Sequence, residues 1–561
     1  MITIVDFFTM KKVFFYSLFA CCSLGVLKGY SQQEWGDGEI QAVEIEIVKD
    51  RQITLPKANR YFEKIPPRPA ETISPAITYS FKAFHFSTPE LNPALRPLRL
   101  KAEDPVKAYR GYVSAGYGNY ASPYLEAFVT NREDKKKLIG AHAYYNKSGK
   151  GPVDGKNSGS GIVGASAFAQ TFSKHISFNG NIGIENRSTH FYGYPENTDV
   201  RRDTIEQAFT LFKLGLGLAN ASNSDFSYQL GGEFSHLADK FSAAESTVGF
   251  NVKSSYKVSD DQRIHINAEY AIINRKDEGV DAKARNLFQV NGYYSFYPVE
   301  NFKLQVGAVA AIENDTLDSK KLHFYPDVRI TYPLNESVDF VGALTGGMER
   351  VSLQTLTNEN LWLAPAVPLY HTNKLFDLQA GIRARLGSKV LAGAGLSIAA
   401  LKNMYFFVND TTDVSKFQVA YDAGATKRTN LYASLLYTHS DIVRVSLQGD
   451  YFGYSTDEIP EAWHKPGYRF TLGASYNLFR KLIFNLDMIA QGNVKARGTE
   501  EPVETITLPV AFDLSFRTEY LVSDRLSAFV NLNNITSNKY PVFLNYPVRG
   551  FQALAGLSWK F

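Results

Sequence analysis

Ten histidines and a few paired carboxylates are the residues of this 561-residue chain with the chemistry for catalysis or metal binding. His142, His175, His190 and His236 fall within or at the ends of alternating stretches, where an inward or rim position explains them better than metal ligation. Asp315 with Asp318, and Asp410 with Asp413, are spaced like loop calcium ligands but lack the acidic series and closing glutamate of a known calcium loop. They read as solvated loop charge. The stretch Gly155 to Gly161 surrounds Lys156 with glycines, yet it has neither the G-x-x-x-x-G-K-[ST] order nor a following helix, and reads as a mobile loop. No Ser/His pair stands out for hydrolysis. The expectation is a chain without catalytic residues, cofactor or metal, and not an enzyme.

What positions these residues is a period-two pattern running from about Tyr109 to Phe561 in segments of roughly ten to fifteen residues. In Tyr468 to Leu478, the residues Tyr468, Phe470, Leu472, Ala474, Tyr476 and Leu478 share one face, and Arg469, Thr471, Gly473, Ser475 and Asn477 the other. Phe226 to Ser235, Ile264 to Ile272, Val443 to Gln448 and Val510 to Arg517 repeat the alternation. One face suits lipid and the other water. A soluble propeller or sandwich also alternates, but its strands commonly run about five or six residues. A tilted membrane-crossing strand needs ~9–11, and these segments fit the longer class.

The connections alternate too. Short turns are expected near Glu133 and at 172–175, 223–225, 259–262, 298–301, 333–337, 387–389, 439–441, 479–481 and 523–525, the pattern of periplasmic turns. Between them lie longer, polar, Gly- and Asn-containing loops such as Ser148 to Gly161, Ser188 to Arg202, Glu349 to Pro368, Ser455 to Pro466 and Gly492 to Pro502, which fit extracellular loops. Pairing each turn with an outward hairpin predicts an all-β fold, a transmembrane antiparallel β-barrel of about 22 strands over 109–561. The stretch Asn409 to Asn430 leaves that count open by two.

Ahead of the barrel, Lys11 and Lys12 precede the apolar run Val13 to Ala20, the layout of a secretory signal. The run is too short to span ~30 Å of hydrocarbon, so residues 1–31 read as a signal peptide cut near Ser31, with Met10 an alternative start. Lipidation at Cys21 is the rival reading, for which Phe19 is poorly suited. Residues 32–108 carry Pro56, Pro66, Pro67, Pro69, Pro75, Pro89, Pro93, Pro97 and Pro105, a density that excludes continuous helices and most central strands. An extended periplasmic or lumenal segment is expected there.

Both cysteines, Cys21 and Cys22, lie inside the signal, which excludes disulfides and thiolate sites from the mature chain. A formal charge of +4 without a basic stripe gives no footprint for nucleic acid. No run of eighteen apolar residues follows the signal, so a membrane-embedded chain must be a barrel. The 33 Tyr, 39 Phe and 41 Gly suit one, since half of every strand faces water and aromatic girdles mark both interfaces.

In the last strand Phe551, Ala553, Ala555, Leu557, Trp559 and Phe561 share a face opposite Gln552, Leu554, Gly556, Ser558 and Lys560. The aromatic end, with Leu557, Trp559 and Phe561, resembles the C-terminal signature by which outer-membrane assembly machinery recognises its substrates. Together with Asn531-Leu532-Asn533-Asn534-Ile535-Thr536-Ser537-Asn538-Lys539-Tyr540, it resembles the barrel of TonB-dependent receptors. The resemblance covers about residues 109 to 561 and implies residence in the outer membrane among its lipids, with ligand uptake or passage. It departs at the N-terminus, where 32–108 leaves no room for a full plug domain. The alternative is a non-transporting barrel, a scaffold subunit with periplasmic or outer-membrane protein partners.

Overall fold

A computed structural model describes residues 109–131, 136–220, 224–280, 283–315, 321–500 and 502–561. The signal and the Pro-rich segment expected over 1–31 and 32–108 lie outside these residues. The described chain forms a sheet of 22 strands, each hydrogen-bonded antiparallel to the next strand of the sheet, and two small two-stranded sheets in its connections, Val494–Arg497 with Thr505–Leu508 and Pro541–Phe543 with Tyr546–Pro547. The first strand, Gly111–Gly118, pairs with the last, Gln552–Lys560, in the register Ala115↔Leu557, which closes the sheet into a barrel without edges.

The expected short turns that fall within the described residues lie at strand ends, and the one near Glu133 lies outside those residues. Phe172 and Ile176, Ser259 and Gln262, Leu386 and Val390, and Leu478 and Leu482 bound four of them. Gly387 sits at φ 64°, and Phe479 and Arg480 at 54° and 55°, left-handed backbone in three-residue connections between the paired ends Leu386 and Val390, and Leu478 and Leu482. The open stretch 409–430 resolves into a connection after Asn409 and a strand Phe417–His439, so the count stays at 22.

Burial follows the alternation. Ile182, Ile184, Leu216, Leu230, Ile264, Ile266, Leu378, Ile382 and Leu447 are exposed on the outer face, whereas Ser114, Glu126, Asp327, Asp377 and Ser397 are buried on the inner one. A contiguous apolar belt of this extent is far larger than soluble monomers expose and matches the lipid-facing band of a barrel. With closure complete, this is the architecture of an outer-membrane protein.

Candidate functional site

The connection between strands Val338–Glu349 and Thr372–Leu386 is not the polar extracellular loop expected for Glu349 to Pro368. It folds inward, because it carries Val351, Leu353, Leu356, Leu361, Trp362, Leu363 and Val367, all buried. Sequestering such side chains is worth roughly 1.5–3 kcal/mol each, more than a solvated loop recovers. Within it the helix Leu353–Glu359 begins at a capping box: Ser352 Oγ accepts from the Thr355 N–H at 3.1 Å, and the Thr355 side chain accepts from the Ser352 N–H. Glu245 of the barrel wall accepts from the Leu353 and Gln354 N–H groups at 2.7 and 3.1 Å, setting a carboxylate at the positive end of the helix.

This loop bridges the mouth opposite the short turns. Tyr192 follows the fifth strand, Ile176–His190, and Phe417 opens the sixteenth, so the strands they belong to stand half a circumference apart in a ring of 22, while their rings converge on Tyr546. A chain of ring contacts joins them: Tyr192 to Trp362 at 5.6 Å, Trp362 to Tyr546 at 4.1 Å, and Tyr546 to Phe417 at 5.7 Å. Backbone bonds reinforce it, since the Phe417 N–H donates to Trp362 O and the Ala364 N–H to Phe417 O, each at 2.8 Å. The helix is tied to both sides, by Arg187 donating to Asn358 at 3.0 Å and by Lys465 pairing with Glu359 at 3.1 Å.

The two ends of the loop are pinched by one buried cluster. Arg285 donates to Val351 O at 2.9 Å, to the Asp315 carboxylate at 2.9 and 3.2 Å, and to His371 Nδ1 at 3.1 Å. The Val351 N–H also donates to His371 Nδ1, at 3.1 Å, and the His371 N–H to Asp315. Because Nδ1 accepts from a backbone N–H, the imidazole is neutral with its proton on Nε2. Burial, reinforced by the Arg285 guanidinium, lowers the His371 pKa to about 3. A second fastening is Arg275, which donates to Val367 O and pairs with Asp277, whose carboxylate also accepts the Ala366 N–H.

His464 is fixed in the same way. Its Nδ1–H donates to Phe407 O at 2.8 Å while Nε2 accepts from the Leu544 N–H at 3.3 Å, and burial holds its pKa at about 4. Both histidines were invisible as site residues in the sequence, which drew attention to others. His142 pairs with Glu126 at 2.9 Å on the inner wall, His190 bonds Gly159 O at 2.7 Å, and His236 bonds Ser246 at 2.8 Å. His175 lies in the short turn after Phe172.

Asp315 corrects the expectation of solvated loop charge, since it is a buried member of the latch. Asp318 lies outside the described residues. Asp410 and Asp413 organise their own loop: Asp410 accepts from the Thr412 N–H at 2.7 Å and the Asp413 N–H at 3.1 Å, and Asp413 from the Ser415 N–H at 3.1 Å. The Gly155 stretch holds a 3-10 turn, Gly155–Ser158, pinned by Ser158, in place of the mobile loop expected.

Leu557, Trp559 and Phe561 all face outward at 56, 50 and 40% exposure, beside the first strand at the barrel's closing seam. The Asn531 to Tyr540 element staples the connection before that strand. Asn534 Nδ2 donates to Asn538 O and Arg549 O, both at 2.8 Å, its Oδ1 accepts from the Asn538 N–H at 3.1 Å, and the Tyr540 hydroxyl donates to Asp513 at 3.2 Å.

No protein-family profile matches the chain, and no curated protein does. Solved structures match strongly. The siderophore receptor PirA from Acinetobacter baumannii has a TM-score of 0.61 at 13% identity, covering 80% of each chain. The ferric-catecholate import receptor Fiu from E. coli K12 gives 0.61 at 9% identity over 82% of each chain. The FrpB iron transporter from Neisseria meningitidis gives 0.62 at 11% identity over 81% of this chain and 82% of its own. At such identities the likeness speaks to fold. The chain has the 22-strand barrel architecture of outer-membrane receptors, as its resemblance to TonB-dependent receptor barrels led one to expect.

Proposed function

We propose that the chain is an outer-membrane barrel of TonB-dependent-receptor type that takes up or passes a ligand through its lumen, with the loop of residues 350–371 as the element that must yield. The observation that carries this reading is the aromatic bridge from Tyr192 to Phe417, because a barrel of this size holds an aqueous lumen and an inward loop across its mouth makes passage conditional. The likeness to siderophore and iron receptors supports ligand uptake as the task. Single-channel conductance in planar bilayers tests it, using the full chain, the chain without residues 32 to 106, and a chain with residues 353–369 excised. Low conductance in the parent and opening after loop excision are expected. Silence in all three forms would count heavily against transport.

The number of fastenings on the loop favours a second reading, a permanently shut scaffold subunit whose Pro-rich segment binds a periplasmic partner. Purification from native membranes in mild detergent separates the two, since recovery of the lone chain at every step sinks the scaffold. In either case Leu557, Trp559 and Phe561 are proposed to meet the assembly machinery during insertion, a role that their outward position at the seam supports.

A further inference from the structure

The short-turn rim of the barrel is divided by charge. The connections 260–261, 300–301 and 336–337 carry Asp260, Asp261, Glu300 and Glu336 with no cation of their own, and Lys257 reaches Asp260 from the strand beside it. Further round the rim, the connections 387–389, 440–442, 479–481 and 522–525 carry Lys389, Arg480, Lys481 and Arg525 against Asp441 and Asp524, all of them exposed. Short turns of outer-membrane barrels face the periplasm, so this basic arc lies at the level of the inner leaflet.

The turn in that arc with two cations is strained. Phe479 and Arg480 are its middle residues, at φ 54° and 55°, and the Lys481 N–H closes it by donating to Leu478 O at 3.1 Å. An asparagine–glycine pair is what such a turn favours, because left-handed backbone crowds the Cβ of other residues. Phe479 is also 85% exposed, more than any other large apolar side chain among the described residues. Strained backbone and an uncovered ring are both unfavourable in water. At a membrane interface the ring gains a place, since aromatic side chains collect at headgroup depth.

On the outer face next to the turn, Tyr476, Phe484 and Phe516 form a row of stacked rings at 6.4 and 5.8 Å, beside the exposed Tyr520 and Val522. Arg480 meets Asp441 at 3.9 Å, but with side chains 87 and 54% exposed this pair is too weak to withhold the guanidinium from a stronger anion. The apolar row, the exposed ring and the cations follow one another in the order of an acyl chain, a glycerol backbone and a phosphate.

We propose that the Phe479–Lys481 turn, flanked by Arg525, binds an anionic phospholipid of the inner leaflet by its headgroup. Basic residues next to a membrane attract anionic lipid, and the acidic arc turns it away, so the site occupies one sector of the rim. An acidic periplasmic protein would also satisfy the cations, yet it offers Phe479 no hydrocarbon to enter. The inference stands apart from the uptake reading.

The test is the urea midpoint for unfolding of the full-length chain from phosphatidylcholine vesicles and from vesicles of equal phosphatidylcholine and phosphatidylglycerol. The parent midpoint is expected to rise with phosphatidylglycerol. A chain carrying both R480Q and K481Q should match the parent in phosphatidylcholine and lose at least half of that rise. F479G relaxes the turn while removing the ring, so it should equal or exceed the parent in phosphatidylcholine and still lose part of the rise. K389Q, which neutralises a lone cation two turns away on the same arc, should keep it. A rise unchanged in the double variant, or lost equally in K389Q, would overturn the proposal in favour of diffuse charge. No rise in the parent would overturn it too, leaving the arc to an acidic protein. Glycerophosphate added to phosphatidylcholine vesicles should not reproduce the rise, and if it does, the occupant is a soluble phosphoryl anion and not a lipid.

Discussion

Arg285 and His371 meet at 3.1 Å, and the same guanidinium reaches the Val351 carbonyl at 2.9 Å, so one wall residue fastens both ends of the inward loop. Removing one partner of a buried charged cluster costs roughly 3–5 kcal/mol, because the remaining charge stays desolvated. Here that charge is Asp315. Arg285→Ala is therefore expected to release the loop while the barrel persists. Hydrogen exchange should accelerate across residues 351–371 and stay slow in the strands. Unchanged protection of the loop would show that the latch does not hold it.

Trp362→Ala removes the ring that packs against both Tyr192 and Tyr546, which also touch each other at 4.7 Å. Trp362 is 2% exposed, touches Tyr192, Phe543 and Tyr546, and donates from Nε1 to His190 O at 3.0 Å. Truncating a buried aromatic costs about 3–5 kcal/mol, whereas Glu245→Ala removes two charge-assisted bonds at a helix start, for about 1–3 kcal/mol. Single-channel recordings should rank open probability as Trp362→Ala above Glu245→Ala above parent. The reverse order between the variants would mean that the helix anchor, and not the aromatic packing, keeps the mouth closed.

The barrel was legible in the sequence because each strand repeats the same instruction. Phe470, Leu472 and Tyr476 against Arg469, Thr471 and Ser475 state which face is wet without reference to any other strand, and short turns such as 387–389 state where strands end. The site was not legible in that way. Arg285 from the start of a strand and Asp315 and His371 from two separate connections are brought together, and Tyr192, Trp362, Phe417 and Tyr546 come from four regions of chain, so no local spacing announces them. One signal was nevertheless present: the stretch after Glu349 carries Leu353, Leu356, Leu361, Trp362, Leu363 and Val367 behind a Ser352/Thr355 cap, too apolar for a loop in water. Its proximity to Asn358 and Pro368 disguised it as an ordinary surface excursion.

Acid should loosen the loop. The His371 pKa is lowered to about 3 by burial and by the Arg285 guanidinium, with Asp315 acting against them and Arg350 with them, whereas a free imidazole titrates near 6.5. The released histidine therefore binds a proton more readily than the latched one at pH below about 6.5. Loop closure loses about 1.4 kcal/mol per pH unit from there down toward pH 3, and is insensitive to pH above 7. Conductance measured from pH 8 to 4 should be flat and then rise. The variant His371→Gln, which keeps an acceptor but cannot be protonated, should shrink that rise, and an identical profile in parent and variant would remove His371 from the explanation.

The membrane assignment itself is exposed to test at two positions of the wall. Ile182, 47% exposed at the middle of its strand Ile176–His190, points outward, while Gln229 of the strand Phe226–Asp239 points into the lumen. An arginine on the lipid face near the bilayer midplane costs roughly 2–4 kcal/mol, and one in an aqueous lumen costs little. Ile182→Arg should therefore lower the denaturant midpoint for unfolding from phospholipid bilayers by that margin, with Gln229→Arg close to the parent. The contrast depends on which side of the sheet meets lipid, since the two substitutions introduce the same charge in strands separated by a single one, Glu206–Asn220. Equal midpoints would mean that the outer face is not in contact with hydrocarbon, and the apolar belt from Ile182 to Leu447 would then need a protein partner to cover it.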